Sequence, residues 1–142
     1  MPILNGSITF TEGLLDKINN EETLTFVMAH ELGHYANRDC LKHVSRQALA
    51  GLVTSILSGG QNNTNIAVNG ISDLNALTYS RAQEKQADEY ANKMLYKLYG
   101  RNTGAVEFFK YLEKEEKAPE FLQYFSTHPS THQRLIFITK NK

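Results

Sequence analysis

Two histidines and a glutamate, His30, Glu31 and His34, stand in the stretch FVMAHELGHYANRD, residues 26–39, directly after the apolar run Phe26, Val27, Met28 and Ala29. If this stretch is helical, His30 and His34 lie about 40° apart on one face and about 6 Å apart along the axis. Two imidazoles so placed can converge on one metal ion. Glu31 lies beside them, near enough to serve the same site without being a ligand. The pattern is HExxH, in which the histidines bind zinc and the glutamate acts as general base.

A catalytic zinc takes three protein ligands and leaves its fourth position to water, so a third ligand must come from elsewhere. One zinc-peptidase class continues as HExxHxxGxxH. Here Asn37 replaces the glycine and Cys40 the last histidine, which excludes that class. His43 falls about 180° from His34 on a continuing helix and faces away. Cys40, the sole cysteine, reads as an inert boundary thiol, and no cysteine precedes the helix to act as a ligand. Carboxylates remain. In SRAQEKQADEYA, residues 80–91, Glu84 and Asp88 are four residues apart and share a helix face. Glu84 can complete a His₂Glu set while Asp88 accepts the outer N–H of a ligating imidazole. The alternative for the pair is a solvated face matched with Arg81 or Lys85.

HELGH, then Ser80-Arg81 with Glu84 and Ala87-Asp88, then THPSTHQR at residues 127–134, resembles in this order the M48 family of zinc endopeptidases, the gluzincin group. NGSITFTEGLL, ahead of the HExxH helix, is similar to the same family's upstream segment, so the likeness covers about residues 5–137. The resemblance implies a zincin-like catalytic domain holding one Zn²⁺ through His30, His34 and Glu84, with Glu31 as catalytic base and Asp88 as outer support. In such a site zinc polarises the scissile carbonyl and lowers the pKa of water to about 7. The resemblance also sets the His-Pro element near the cleft, with Arg134 packing nearby or touching substrate. A tetrahedral oxyanion needs a donor besides zinc. His128, on a loop stiffened by Pro129, is the candidate, whereas His132 in the first turn of the next helix is not.

The elements that must position these groups read as mainly α, within an α+β class. Residues 7–11 (Ser7, Ile8, Thr9, Phe10, Thr11) alternate polar and apolar and predict a short edge strand, against which an extended peptide could add by main-chain hydrogen bonds. A short helix around residues 12–18 follows. Asn19 or Asn20 can cap the HExxH helix, with Glu22 completing a box to Asn19. Leu24, Val27, Met28 and Leu32 are expected to point to the core. Asp39 can cap a further helix with Leu41, Val44, Ala48, Leu52 and Ile56 on one stripe. Residues 58–70 read as a polar loop. A long helix is expected from Asp73 to Tyr99, stopped by Gly100, and another over residues 103–117, broken by Pro119. Ser130 and Gln133 form a box-like cap for a terminal helix.

The chain has 142 residues, 41% hydrophobic and 21% charged, with formal net charge zero, which fits one catalytic domain over residues 1–142. That neutrality supplies no drive toward nucleic acid or an anionic membrane surface, so the expected partner is a polypeptide substrate. No apolar stretch is long enough to span a membrane, and the N-terminus lacks a signal-peptide pattern. The expected location is cytoplasmic if the chain is complete. It is the bacterial envelope or a membrane if Met1 lies inside a longer parent. The function expected is zinc-dependent cleavage of extended or unfolded polypeptide; the competing class is a zinc-bound binding module or holdase with no turnover.

Overall fold

A computed structural model describes residues 7–18, 20–58, 78–114, 124, 126–129 and 131–140. Six helices carry the fold: α1 (Glu12–Leu15), α2 (Glu21–Ala36), α3 (Asp39–Leu57), α4 (Arg81–Tyr99), α5 (Thr103–Lys114) and α6 (Thr131–Lys140). The expected strand over residues 7–11 is not formed. Ile8 makes one isolated bridge, and Thr11 instead caps α1, its hydroxyl 3.3 Å from the Leu14 amide. A single strand has no stability without a partner sheet, and none exists among the described residues.

α2 starts where Asn20 accepts the Thr23 amide at 2.7 Å, and Glu21 and Glu22 place negative charge on the helix N-terminus. Asn19, the partner expected to close a capping box with Glu22, lies outside the described residues. The Glu22 carboxylate takes the Arg101 guanidinium, with Nε at 2.9 Å. The inward face of α2 carries Thr23, Phe26, Val27, Ala29, His30, Glu31, Gly33 and His34. Met28 and Leu32, expected inside, are 41% and 39% exposed. The helix is apolar around much of its circumference, so periodicity alone does not select the buried side.

α2 packs against α4 and α5, and α5 packs against α6. The core between them is Phe26, Leu95, Phe108, Phe109, Leu112 and Ile138, with Phe26 5.7 Å from Phe108 and 5.5 Å from Phe109 between ring centroids. Two glycines allow the helices to approach this closely. A Cβ on Gly33 would lie 2.9 Å from the Ala87 Cα, and one on Gly104 would lie 2.4 Å from the Glu22 carbonyl carbon.

α4 begins later than its sequence pattern predicts. Ser80 caps it in a reciprocal box, its hydroxyl 3.4 Å from the Gln83 amide while Gln83 Oε1 accepts the Ser80 amide at 3.0 Å. Residues 78–80 are therefore not helical, and residues 73–77 lie outside the described set. Gly100, at φ 67°, ends the helix as expected. The proposed ends at Lys117 and Pro119, the loop beyond Ser58 and the Ser130 cap also lie outside the described residues.

α3 departs most from expectation. Arg38 occupies its cap position in the left-handed region (φ 55°, ψ 37°) with no capping hydrogen bond from its side chain, and Asp39 is the first helical residue, fully buried. Of the expected apolar stripe, Leu41, Leu52 and Ile56 are 49%, 60% and 70% exposed, while Val44 and Ala48 are half-buried. Among the described residues α3 packs chiefly on α2, and this stripe has little there to pack against.

Candidate metal centre

His30 and His34 project from successive turns of α2 toward α4, which returns Glu84 and Asp88 to meet them. His30 donates from Nδ1 to Asp88 Oδ1 at 3.0 Å, and His34 donates from Nδ1 to Asp39 Oδ2 at 2.9 Å. With each Nδ1 occupied, the two Nε2 atoms turn toward one point and approach to 3.1 Å. The Glu84 carboxylate completes the group, 3.3 Å from His34 Nε2 and 3.6 Å from His30 Nε2. Glu31 sits at the same cluster, its Oε1 3.5 Å from His128 Nε2.

His128 is brought in by the segment after α5. Its amide bonds to Tyr124 O at 2.8 Å, and the neighbouring Thr127 carbonyl accepts the Tyr79 amide at 3.0 Å. The imidazole stacks on Tyr124 at 4.6 Å and donates from Nδ1 to Glu84 Oε1 at 2.9 Å. One donor atom from each of His30, His34, Glu84 and His128 can be chosen so that all lie within 4.8 Å of one another, and all four residues are buried.

Arg134 faces inward as well. Its Nε and NH2 donate to Asp88 at 2.8 and 2.7 Å, and NH1 lies 2.6 Å from Glu84 Oε2. Only 5% exposed, it clamps the two carboxylates of α4. A guanidinium is suited to this because its planar fork engages both acids at once.

The electrostatics are divided between the two α2 imidazoles. Burial pushes His30 well below its ordinary pKa, and the charges of Arg134 and His34 act in the same direction, leaving its nitrogen lone pair available. Burial also opposes charge on His34, but its hydrogen bonds to Asp39 and Glu84 prevail and raise it to about 9. Burial alone would raise Glu84, yet His128, His34 and Arg134 hold it well below the usual carboxylate range. To bind a cation, His34 would have to release its Nε2 proton, whereas Glu84 and His30 already offer an ionised carboxylate and a free lone pair.

The donor set fits a divalent metal. Two imidazole nitrogens and one carboxylate are the ligands of His₂Glu zinc sites, and each imidazole is oriented by a carboxylate as such ligands are. The structure thus brings together His30, Glu31, His34, Glu84, Asp88, His128 and Arg134. It leaves His43 out, half-buried with Nε2 2.7 Å from Gln47, and His132 out, exposed and 2.7 Å from Glu113. Cys40 is half-buried and burial raises its thiol pKa.

Two participants were missed by sequence reasoning. Asp39 resembles a helix cap because an acid precedes an amphipathic run; its separation from His34 gives no signal unless the helix is broken between them. Tyr79, whose ring stacks on His34 at 3.8 Å, lies in a stretch with helical periodicity that the Ser80 cap interrupts.

Comparison with known families matches residues 1–142 to Peptidase family M48, and the chain belongs to that family. Protease HtpX of Legionella pneumophila (strain Corby) is 46% identical over 52 residues, 37% of this chain and 18% of that protein. The Protease HtpX homologs of Polynucleobacter necessarius and Pyrococcus furiosus are 27% identical over 178 residues and 26% over 170. These alignments cover 96% and 94% of this chain but 61% and 58% of the relatives, so the chain spans less than two thirds of each. No solved structure matches the chain. M48 peptidases are metalloproteases, which agrees with the His and Glu cluster.

Proposed function

We propose that residues 1–142 form a single zincin-like catalytic domain of a zinc endopeptidase acting on extended or unfolded polypeptide. The observation that carries this reading is the convergence of His30 Nε2, His34 Nε2 and Glu84 with Glu31 beside them. His30, His34 and Glu84 would hold one zinc per chain, which when bound would supply Lewis acidity toward the scissile carbonyl and acidify water. Glu31 accepts the proton of the attacking water on a carboxylate oxygen and delivers it to the leaving amine. His128 presents its imidazole to the oxyanion that develops at the carbonyl. Asp88 keeps His30 in the tautomer that leaves Nε2 free, and Arg134 holds Asp88 and Glu84 in place. Within residues 7–11 only Ile8 is bridged. None of the described helices is long and apolar enough to cross a membrane.

A second reading draws on one observation: His128 stands in the same cluster as the three proposed ligands. Four protein ligands close a structural zinc site, whereas a catalytic one keeps a position open. A four-ligand site would make the domain a binding module or holdase.

Metal analysis and casein hydrolysis separate the two. The peptidase reading expects one zinc per chain, lost in His30→Ala, His34→Ala or Glu84→Ala. Glu31→Gln should retain zinc and lose at least about 10²-fold in turnover. Undiminished casein cleavage by Glu31→Gln refutes the mechanism. Loss of zinc in His128→Phe, with no cleavage by the native chain, favours the binding module.

A further inference from the structure

We propose that Asp39 is a positioning residue that fixes the tautomer and ring orientation of His34, and that the left-handed turn at Arg38 exists to place it there. The inference rests on the metal-site reading above and adds to it a residue outside both α4 and the HExxH pattern.

His34 and Asp39 are five residues apart. On an unbroken helix, side chains so separated point about 140° away from each other and cannot meet. They meet here because α2 stops at Ala36 and Arg38 takes φ 55°, the sole positive φ of a non-glycine residue among those described. That conformation is unfavourable for a side chain with a Cβ. The strain is repaid at the next residue, which starts α3 with its carboxylate turned back toward α2.

The contact has the geometry of an orienting bond. Asp39 Oδ2 accepts from His34 Nδ1 at 2.9 Å, and neither side chain has any exposure. An ionised carboxylate is costly to bury without a charged or strongly donating partner. Its other ionic neighbour is Lys42, whose half-exposed ammonium is 3.7 Å from Oδ1, so the imidazole is the closer partner. Because Nδ1 keeps its proton for Asp39, the nitrogen left to bind a metal is Nε2, the atom that faces His30 and Glu84. Tyr79, stacked on the same ring with planes 13° apart, restricts its tilt. His34 is therefore held by a carboxylate at one edge and an arene on one face. The arrangement parallels Asp88 at His30, but the carboxylate comes from five residues on, at the start of α3, rather than from α4.

The competing role for Asp39 is purely structural: a first-turn acid favouring the α3 N-terminus. Zinc affinity from chelator competition, measured with the melting of the same proteins stripped of metal, distinguishes the two. Asp39→Ala is expected to weaken zinc binding by about 100-fold, and Asp39→Asn by about 10-fold because its amide oxygen still accepts from Nδ1. In ¹⁵N NMR of the zinc-loaded protein, the solvent-protected His34 Nδ1–H signal should persist in the native chain and in Asp39→Asn and disappear in Asp39→Ala. If Asp39→Ala does not fold, Asp39→Asn decides: native zinc affinity overturns the proposal, and the loss stated above supports it. Native affinity in Asp39→Ala, alongside loss of zinc in His34→Ala, overturns the proposal and leaves the metal site standing. Native zinc binding in His34→Ala overturns both.

Discussion

α2 and α3 follow one another directly, with 16 and 19 residues, and are embedded very differently. Half of α2 is buried, through Thr23, Phe26, Val27, Ala29, His30, Glu31, Gly33 and His34. α3 buries Asp39 and Gly51. α2 is gripped by α4 along one side and α5 along another, and it is the helix that carries the HExxH residues. α3 departs from that grip, and Asp39, its most deeply placed side chain, is held by a histidine of α2. The difference shows where positional accuracy is maintained. Donor atoms must keep sub-ångström relations, so they sit where backbone meets backbone. A helix whose contribution is one carboxylate needs only its first turn fixed.

The sharpest way to break the comparison is to fill the gaps that let backbones touch. The Gly104→Ala methyl would lie 2.4 Å from the Glu22 carbonyl carbon and 2.6 Å from the Thr23 amide nitrogen. Neither is a flexible side-chain end, so α5 must move away from the start of α2. Overpacking of this kind costs about 1–3 kcal/mol, and contacts this short belong at or above the top of that range. Denaturant unfolding should therefore show a loss of about 3 kcal/mol or more. A loss below about 1 kcal/mol would mean that the α2–α5 contact yields easily and that α2 is not the rigid member of the pair.

A smaller effect with a second readout is expected at Gly33. Its added methyl would meet the Ala87 Cα at 2.9 Å and the Tyr90 Cβ at 3.2 Å. Gly33→Ala should cost about 1–3 kcal/mol. Because Ala87 lies between Glu84 and Asp88, separating α2 from α4 there moves the carboxylates from the histidines. Zinc affinity should fall with stability in this variant, and Gly104→Ala, remote from the site, should lose stability with less effect on affinity per unit of destabilisation. Equal affinity losses at equal destabilisation would show that the metal site senses global stability rather than the α2–α4 spacing.

How much of this was legible in the sequence follows the same divide. His30, Glu31, His34, Glu84 and Asp88 could be placed on two helix faces because their spacing is helical and both segments are regular helices. Gly100 announced the end of α4 through its tolerance of positive φ. The buried side of α2 was not legible, since Phe26, Met28 and Leu32 are equally apolar and only tertiary contact ranks them. Asp39 was not legible as a partner of His34, because its meaning depends on a backbone break at Arg38, a residue type that does not advertise a left-handed turn. Arg134 was legible as a neighbour of the site but not as its internal clamp: a charged residue reads as exposed until two buried carboxylates are known to face it.

The smallest expected effect tests the other half of the comparison. Leu52 and Ile56 are 60% and 70% exposed on α3. Replacing either with serine removes apolar surface that is already largely in contact with water, so little burial is forfeited. Serine lowers intrinsic helix propensity slightly, by a few tenths of a kcal/mol at each position. The expected change for Leu52→Ser or Ile56→Ser is therefore within about 0.5 kcal/mol, with zinc affinity unaltered because Asp39 lies at the far end of α3. A loss of about 2 kcal/mol would mean that the face is covered in solution. Repeating the melt at several protein concentrations then identifies the cover: a midpoint that rises with concentration in the native chain, and not in the serine variants, assigns it to a second copy. A concentration-independent loss assigns it to contacts within the chain, and α3 would then be as firmly embedded as α2.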